Sequence, residues 1–148
     1  MAKRIEHELK KLKTELPPGY EAHVVDDDLF KWQATIIGAA GTPYEGGRFK
    51  LLIDLPTDYP FRPPKVVFET RVFHPNIRES GEICLDILRP KEWAPCLNIS
   101  KVLISICSLL TDPNPADPLN TEAAELMQKD KKKYEEKVRE YVESYATK

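Results

Sequence analysis

Residues 31–70, KWQATIIGAAGTPYEGGRFKLLIDLPTDYPFRPPKVVFET, contain three runs that are rich in β-branched and aromatic residues. These runs are Lys31–Ile37, Arg48–Leu55 and Lys65–Thr70, and a shorter run, Tyr20–Val25, precedes them. Apolar residues recur at every second position of Arg48–Leu55, which places them on one face of a strand. Because the runs are separated by short connections, the sequence predicts a four-stranded antiparallel meander.

Helical spacing of apolar residues predicts one helix before these strands in the sequence and three after them. The first helix has apolar residues at positions 5, 9, 12 and 16 and stops at Pro17-Pro18-Gly19. A second helix, with Asn98 or Ser100 as its N-cap, is apolar nearly all round and should be central. Two more are predicted at Thr121–Gln128 and Lys131–Tyr145.

Between the last strand and the central helix lies a long stretch, residues 71–97, without a regular pattern. Loops of this length in a compact domain are usually functional or disordered. This one has aromatic and apolar residues, so we expect it to be ordered. The predicted fold class is α+β, with helices against one face or end of an antiparallel sheet, in a single domain that spans residues 1–148.

Composition restricts the possible functions. The 148 residues are 41% apolar with a net charge of −2, which does not favour nucleic acid or a membrane as a partner. No apolar run approaches the roughly 20 residues of a membrane span, and the N-terminus is charged where a signal peptide is apolar. The three cysteines form no Cys-x-x-Cys pair, so we expect no disulfide framework, no metal site, and a cytoplasmic or nuclear location.

Several short motifs stand out in and around the long loop. They are Tyr59-Pro60-Phe61-Arg62-Pro63-Pro64, His74-Pro75-Asn76-Ile77, Gly81-Glu82-Ile83-Cys84-Leu85-Asp86-Ile87-Leu88, Trp93-Ala94-Pro95 and Asp112-Pro113-Asn114-Pro115-Ala116-Asp117-Pro118-Leu119. In this order, and over essentially the whole chain, they resemble the ubiquitin-conjugating enzyme family. The chain is most similar to the small single-domain type that works with RING ligases.

This resemblance implies an acyltransferase that works through a cysteine thioester. Such an enzyme accepts ubiquitin from an activating enzyme and transfers it, with a ligase, to a substrate lysine. The partner activating enzyme uses ATP, and no cofactor of its own is implied. Ubiquitin, the activating enzyme and RING ligases are the implied partners, thiol-relay ligases are a further option, and a monomer is expected because both the ligase face and the thioester must be exposed.

The resemblance also assigns the catalytic residues. Cys84 matches the acceptor of the ubiquitin C-terminus. Asn76 matches a side chain that steadies either the oxyanion or the local loop. Asp86 and Asp117 match acidic positions that help to receive the attacking lysine.

Two further groups of residues match partner-binding positions. The ligase and activating-enzyme surface would comprise Lys3, Arg4, Phe61, Ala94, Pro95 and Cys96. Contacts with the donor ubiquitin would involve Arg89 and Leu103.

Other interpretations of these residues remain open at this point. Cys84, between Ile83 and Leu85, could be a core thiol, and Phe61 could pack inward. Asp117 could be only a turn former, and Lys3 and Arg4 could be a solvated helix face.

At the level of function, the alternatives are a conjugating enzyme for another ubiquitin-like protein, an inactive scaffold, or a cysteine hydrolase. A hydrolase needs a base beside its cysteine, and none is adjacent to Cys84 in sequence, where the nearest histidine is His74.

One segment and one position depart from the pattern of the enzymes that the chain resembles. The segment Arg89–Glu92, which borders the active site, is one residue longer than in those enzymes. Glu21 replaces a small polar residue in a second, non-covalent ubiquitin site on the sheet face. We therefore expect ubiquitin binding at that site to be weak or absent.

Overall fold

The computed structural model describes residues 2–147, and its elements follow the order expected from the sequence. The helices are α1 Ala2–Glu15, α2 Ile99–Thr111, α3 Thr121–Lys129 and α4 Lys131–Tyr145. The strands are β1 Glu21–Val25, β2 Asp28–Ile37, β3 Arg48–Asp54 and β4 Lys65–Phe68. A short 3₁₀ helix, Asp86–Leu88, lies in the long loop.

The strands form one sheet in the order β1-β2-β3-β4, and each neighbouring pair is antiparallel, which confirms the predicted meander. β2 begins at Asp28 rather than Lys31, because Asp26 and Asp27 adopt positive φ and form a tight turn directly after β1. β4 ends at Phe68 rather than Thr70. There the backbone N–H groups of residues 69 and 70 both turn to the carbonyl of Lys50.

One face of the sheet and the helices enclose the core. Alternating residues of β2 and β3, such as Trp32, Ile36 and Ile53, are almost completely buried, as expected from period-2 patterning. Helices α1 and α2 pack against each other and against β2. As predicted, α2 is central, and Asn98 is its N-cap, because the Asn98 side chain accepts a hydrogen bond from the N–H of Lys101.

The long loop between β4 and α2 is ordered, as expected. Its residues 72–77 are all buried, and isolated bridges join Val67 to Glu82 and Ile77 to Ile83. The His74 ring adds a link to α2, because Nε2 bonds the Leu109 carbonyl at 2.7 Å. Among residues 2–147, no helix combines the length and apolar character needed to cross a bilayer.

Gly81 makes the loop's close approach to β4 possible. Its φ is +99°, and a Cβ at this position would lie 2.2 Å from the carbonyl oxygen of Phe68. We predict that Gly81→Ala lowers the free energy of unfolding by about 2–4 kcal/mol, from left-handed strain plus displacement of the Phe68 backbone. Gly46→Ala is the matched control, because Gly46 has φ +80° and open space around its Cβ position. Urea denaturation should show the smaller loss for Gly46→Ala, and equal losses would contradict the steric argument.

Stability should depend on pH through His74, which is fully buried. Burial lowers the pKa of His74 from 6.5 to about 4, so below pH 6.5 the unfolded chain binds a proton that the folded chain does not. The contribution of His74 is therefore present above pH 6.5 and lost as the pH falls towards 4. Between pH ~7.5 and ~5 we expect the free energy of unfolding to fall by about 2 kcal/mol.

Urea denaturation of His74→Gln and His23→Gln over this pH range tests the assignment. His23 lies on β1 and is exposed, so His23→Gln should keep the wild-type pH dependence. His74→Gln should lose most of it. An unchanged pH dependence in His74→Gln would show that other groups cause it.

Candidate active site

Cys84 lies between Ile83, which forms the last isolated β-bridge of the long loop, and the 3₁₀ helix that begins at Asp86. Its N–H donates to the carbonyl of Asn76 at 2.8 Å, which fixes the backbone on which the sulfur is carried. The thiol is free and only partly buried. The possibility that Cys84 is a sealed core thiol is therefore wrong.

Two charged side chains meet at the Cys84 sulfur. Nη2 of Arg89 donates to Sγ at 3.4 Å, and Oδ2 of Asp117 lies 3.7 Å from Sγ. The same Nη2 and Oδ2 atoms are 3.7 Å apart, so the three groups form a triangle. The Cys84 sulfur, and then Asp117 and Asp86, raise the pKa of the Arg89 guanidinium. Residues predicted separately as acceptor, acidic residue and clamp are thus brought into contact.

Asp86 lies beside this triangle at the start of the 3₁₀ helix. Its side chain is exposed, and Oδ1 accepts a hydrogen bond from the N–H of Ile87 at 2.8 Å. The backbone oxygen of Asp86 accepts from the N–H of Arg89 at 2.9 Å. Asp86 therefore shapes the turn that brings Arg89 back towards Cys84.

The side chain of Asn76 is buried and used entirely by the loop that carries Asp117. Nδ2 donates to the carbonyls of Asn114 at 2.7 Å and Asp117 at 3.2 Å, and Oδ1 accepts from the N–H of Asn114 at 2.8 Å. Of the two roles that the sequence left open, this geometry favours support of the loop. The oxyanion role is not favoured, because both amide hydrogens of Asn76 are already donated to backbone carbonyls of this loop.

His74 does not act on the Cys84 sulfur. Its Nδ1 accepts from the N–H of Asn76 at 3.0 Å, so Nε2 carries the proton that is donated to Leu109. Both ring nitrogens are thereby engaged in the interior. In the part of the chain that the structure describes, the side-chain partners of Cys84 are Arg89 and Asp117, and neither is an imidazole. Within residues 2–147, no three His, Cys, Asp or Glu side chains are grouped as metal ligands.

The residues predicted to bind a ligase lie on neighbouring loops. Phe61 is 68% exposed, so it does not pack inward. Pro95 and Cys96 are exposed as well, and Ala94 is partly buried. The two loops are joined below the surface, because Nε1 of Trp93 donates to the carbonyl of Pro60 at 2.7 Å.

Lys3 and Arg4 differ in their surroundings. Lys3 is exposed, whereas Arg4 is partly buried and directed at other residues of this chain. Nε of Arg4 pairs with Oε2 of Glu8 at 2.8 Å, and Nη2 donates to the carbonyl of Leu97 at 2.8 Å. The sequence pattern did not single out Glu8, because a lone acidic residue on an amphipathic helix is ordinarily solvated.

The prediction that Leu103 contacts the donor ubiquitin is wrong, because its side chain has no exposed surface and packs in the core. Ile104, the next residue on α2, is 45% exposed. The sequence held a signal that separates the two, because Lys101, Ser105 and Ser108 recur at helical spacing on the outward face, where Ile104 lies and Leu103 does not.

Glu21, on the outer part of β1, is exposed and forms an ion pair with Arg48 of β3, with Oε1 and Nη2 3.2 Å apart. This pair occupies the sheet face on which we expected weak or absent ubiquitin binding.

The comparisons with known proteins agree with the motifs and the geometry. The family model for ubiquitin-conjugating enzymes matches residues 4–142. Among solved structures, the chain is similar to the E2 domain of a ubiquitin-conjugating enzyme from Toxoplasma gondii. The two share 41% sequence identity and a TM-score of 0.91, and the match covers 97% of each chain. The chain belongs to the ubiquitin-conjugating enzyme family, whose members are transferases that form a thioester on a cysteine.

Proposed function

We propose that this enzyme accepts ubiquitin from an activating enzyme as a thioester on Cys84 and passes it, with a ligase, to a substrate lysine. The observation that carries the proposal is the accessible Cys84 sulfur, which contacts a guanidinium and a carboxylate but no imidazole. ATP is consumed by the activating enzyme. The conjugating enzyme works without a cofactor of its own.

In the first step, the Cys84 thiolate attacks the thioester carbonyl that ubiquitin forms with the activating enzyme. A C–S bond to Cys84 forms, and the activating enzyme's sulfur leaves as a thiolate. A free cysteine is a few per cent thiolate near neutral pH, and the incoming acyl group is already activated. A strong base at the sulfur would also activate water and hydrolyse the product, so a carrier is better without one.

In the second step, a lysine amine attacks the same carbonyl carbon, a C–N bond forms, and the Cys84 sulfur departs as a thiolate. Free lysine has a pKa near 10.4 and is mostly protonated, so the ammonium must give one proton to water before it attacks. The second proton leaves the nitrogen to water as the tetrahedral adduct collapses to the amide and the Cys84 thiolate. Asp86 and Asp117 attract the cationic lysine and position it, since carboxylates favour its charged form. Asn76 contributes by holding the 114–117 loop, and with it Asp117, beside the sulfur.

Arg89 contributes to holding the donor ubiquitin. The ubiquitin C-terminus is attached at Sγ, so a guanidinium 3.4 Å from that sulfur adjoins the last peptide groups of the tail. The carbonyl oxygens there accept hydrogen bonds from Arg89. On α2, Ile104 rather than Leu103 supplies the apolar contact.

Partner docking uses the exposed loop residues and α1. Lys3, Phe61, Pro95 and Cys96 form a surface that RING ligases and the activating enzyme share, and Ala94 and Arg4 support it. A single catalytic domain acting as a monomer in the cytoplasm or nucleus suits this role. Thiol-relay ligases remain a further class of partner, and a different ubiquitin-like modifier is the main alternative to ubiquitin.

A charging experiment tests the acceptor. The enzyme is mixed with ubiquitin-activating enzyme, ATP and ubiquitin, and the products are separated on a non-reducing gel. We expect an adduct that reductant removes, that Cys84→Ala abolishes, and that becomes resistant to reductant in Cys84→Ser, which forms an oxyester. Cys107→Ala is the matched control and should charge normally, because this free thiol lies on α2, outside the docking surface.

An adduct that persists in Cys84→Ala would overturn the assignment. If the wild type charges with a different modifier in a panel of activating enzymes, each with its own modifier, the substrate class changes and the thioester mechanism stays. Partner-free cleavage of a ubiquitin ester would instead indicate a hydrolase.

Discharge of the purified thioester to free lysine tests Asn76 and Asp86. Asn76→Ala and Asp86→Ala should charge normally but transfer ubiquitin from Cys84 to lysine about tenfold or more slowly, because the amine is no longer held in position to attack the carbonyl. Asp54→Ala is the control, since Asp54 is an exposed carboxylate on β3. Normal lysine discharge in both variants would remove these roles. If the wild type transfers ubiquitin to free cysteine but not to free lysine, the enzyme works only with thiol-relay ligases.

A further inference from the structure

Glu8 is a carboxylate in the interior, at 7% exposure, and its two oxygens accept from three different parts of the chain. Oε2 pairs with Nε of Arg4 at 2.8 Å, from the same helix. The phenol of Tyr59 donates to the carboxylate at 2.8–2.9 Å. The N–H of Ile99, at the start of α2, donates to Oε1 at 2.9 Å.

These contacts tie together the segments that carry the proposed docking surface. Tyr59 is two residues before Phe61, and Ile99 begins the helix that follows Pro95 and Cys96. Arg4 extends the network, because its Nη2 donates to the carbonyl of Leu97 at 2.8 Å. Helix α1, the Phe61 loop and the 94–97 loop therefore meet at one buried group.

The chemistry of the site requires a carboxylate. Three donors, Nε of Arg4, the phenol of Tyr59 and the N–H of Ile99, point at the Glu8 side chain, and a carboxylate offers acceptor sites only. An amide in its place would turn an NH₂ group towards these donors. The charge matters as well, since the Arg4 guanidinium is partly buried and lies 5.7 Å from the centre of the Tyr59 ring. Burial, and then the Glu8 carboxylate, raise the pKa of Tyr59, which keeps the phenol protonated as a donor.

We propose that Glu8 is a positioning residue for partner docking, which sets the spacing of Lys3, Phe61 and the Pro95-Cys96 loop without touching the partner. This rests on the proposed function of that surface. Loss of the carboxylate releases Arg4 from Leu97 and Tyr59 from α1, so the three parts of the surface no longer hold one arrangement. Loss of the carboxylate should weaken partner binding rather than the chemical step, because Glu8 contacts none of Cys84, Asp86 or Asp117.

Glu8→Gln, which keeps the side chain's size, tests the proposal in the charging reaction. With ubiquitin-activating enzyme, the KM for the variant should rise about fivefold or more while kcat changes less than about twofold. Tyr134→Phe is the matched control. It removes another buried hydrogen bond, between the hydroxyls of Tyr134 and Tyr44 at 2.9 Å, on a helix that contributes nothing to the docking surface. Its KM should stay within about twofold of wild type.

A partner-free measurement separates this proposal from the proposed function. In ¹H–¹⁵N spectra of the uncharged enzyme, Glu8→Gln should shift the amide signals of Phe61 and Cys96, and Tyr134→Phe should leave them in place. A wild type that no activating enzyme charges would overturn the proposed function, whatever the spectra show. Unmoved Phe61 and Cys96 signals would overturn the role of Glu8, whatever the charging assay shows.

Tyr59→Phe is a milder second variant, for the case that Glu8→Gln does not fold. It removes one donor and leaves the pair of Glu8 with Arg4, so its KM should lie between those of wild type and Glu8→Gln. A KM equal to that of the Tyr134→Phe control, in either variant that folds, would show that Glu8 is only a stabilising residue. A fall in kcat with unchanged KM would equally contradict the proposal.

Discussion

The pairing of Asn76 with the 114–117 loop is the constraint on which the active site depends. The Asn76 backbone carbonyl holds the N–H of Cys84, while its side-chain amide holds both Asn114 and the carbonyl of Asp117. One buried residue thus fixes the sulfur and the carboxylate relative to each other. Because each amide hydrogen and the amide oxygen has a partner, burial of the Asn76 side chain leaves none of its polar atoms unsatisfied.

The same constraint explains how a reactive sulfur can be exposed without becoming a hydrolytic site. The imidazole nearest in sequence, that of His74, is turned inward to support Asn76 and α2. What remains at Cys84 is a guanidinium and a carboxylate, which in the proposed mechanism attract a peptide tail and an amine respectively. Neither removes a proton from water effectively at neutral pH, so the thioester can persist until an amine reaches it.

Most of the fold could be predicted from sequence, because it depends on local periodicity. The meander, the central α2 and the ordered loop were all predicted, and strand ends differed only where turns such as Asp26-Asp27 intervened. The catalytic cluster was predicted less completely. Motif order indicated Cys84 and Asp117. Leu103 was wrong, because it was assigned by resemblance alone, and the helical spacing of Lys101, Ser105 and Ser108 puts Ile104 rather than Leu103 on the outward face.

By itself, the sequence determined the family, the fold class and the cysteine to propose as acceptor, since motifs and periodicities are properties of neighbouring residues. Only the tertiary structure decided the partners of Asn76, the inward direction of Arg4 and the convergence on Glu8. Those contacts join residues far apart in the chain: Asn76 and Asn114 are separated by 38 positions, and Glu8 and Ile99 by 91. Their pairing depends on how the packed core brings loops together, which no local pattern records.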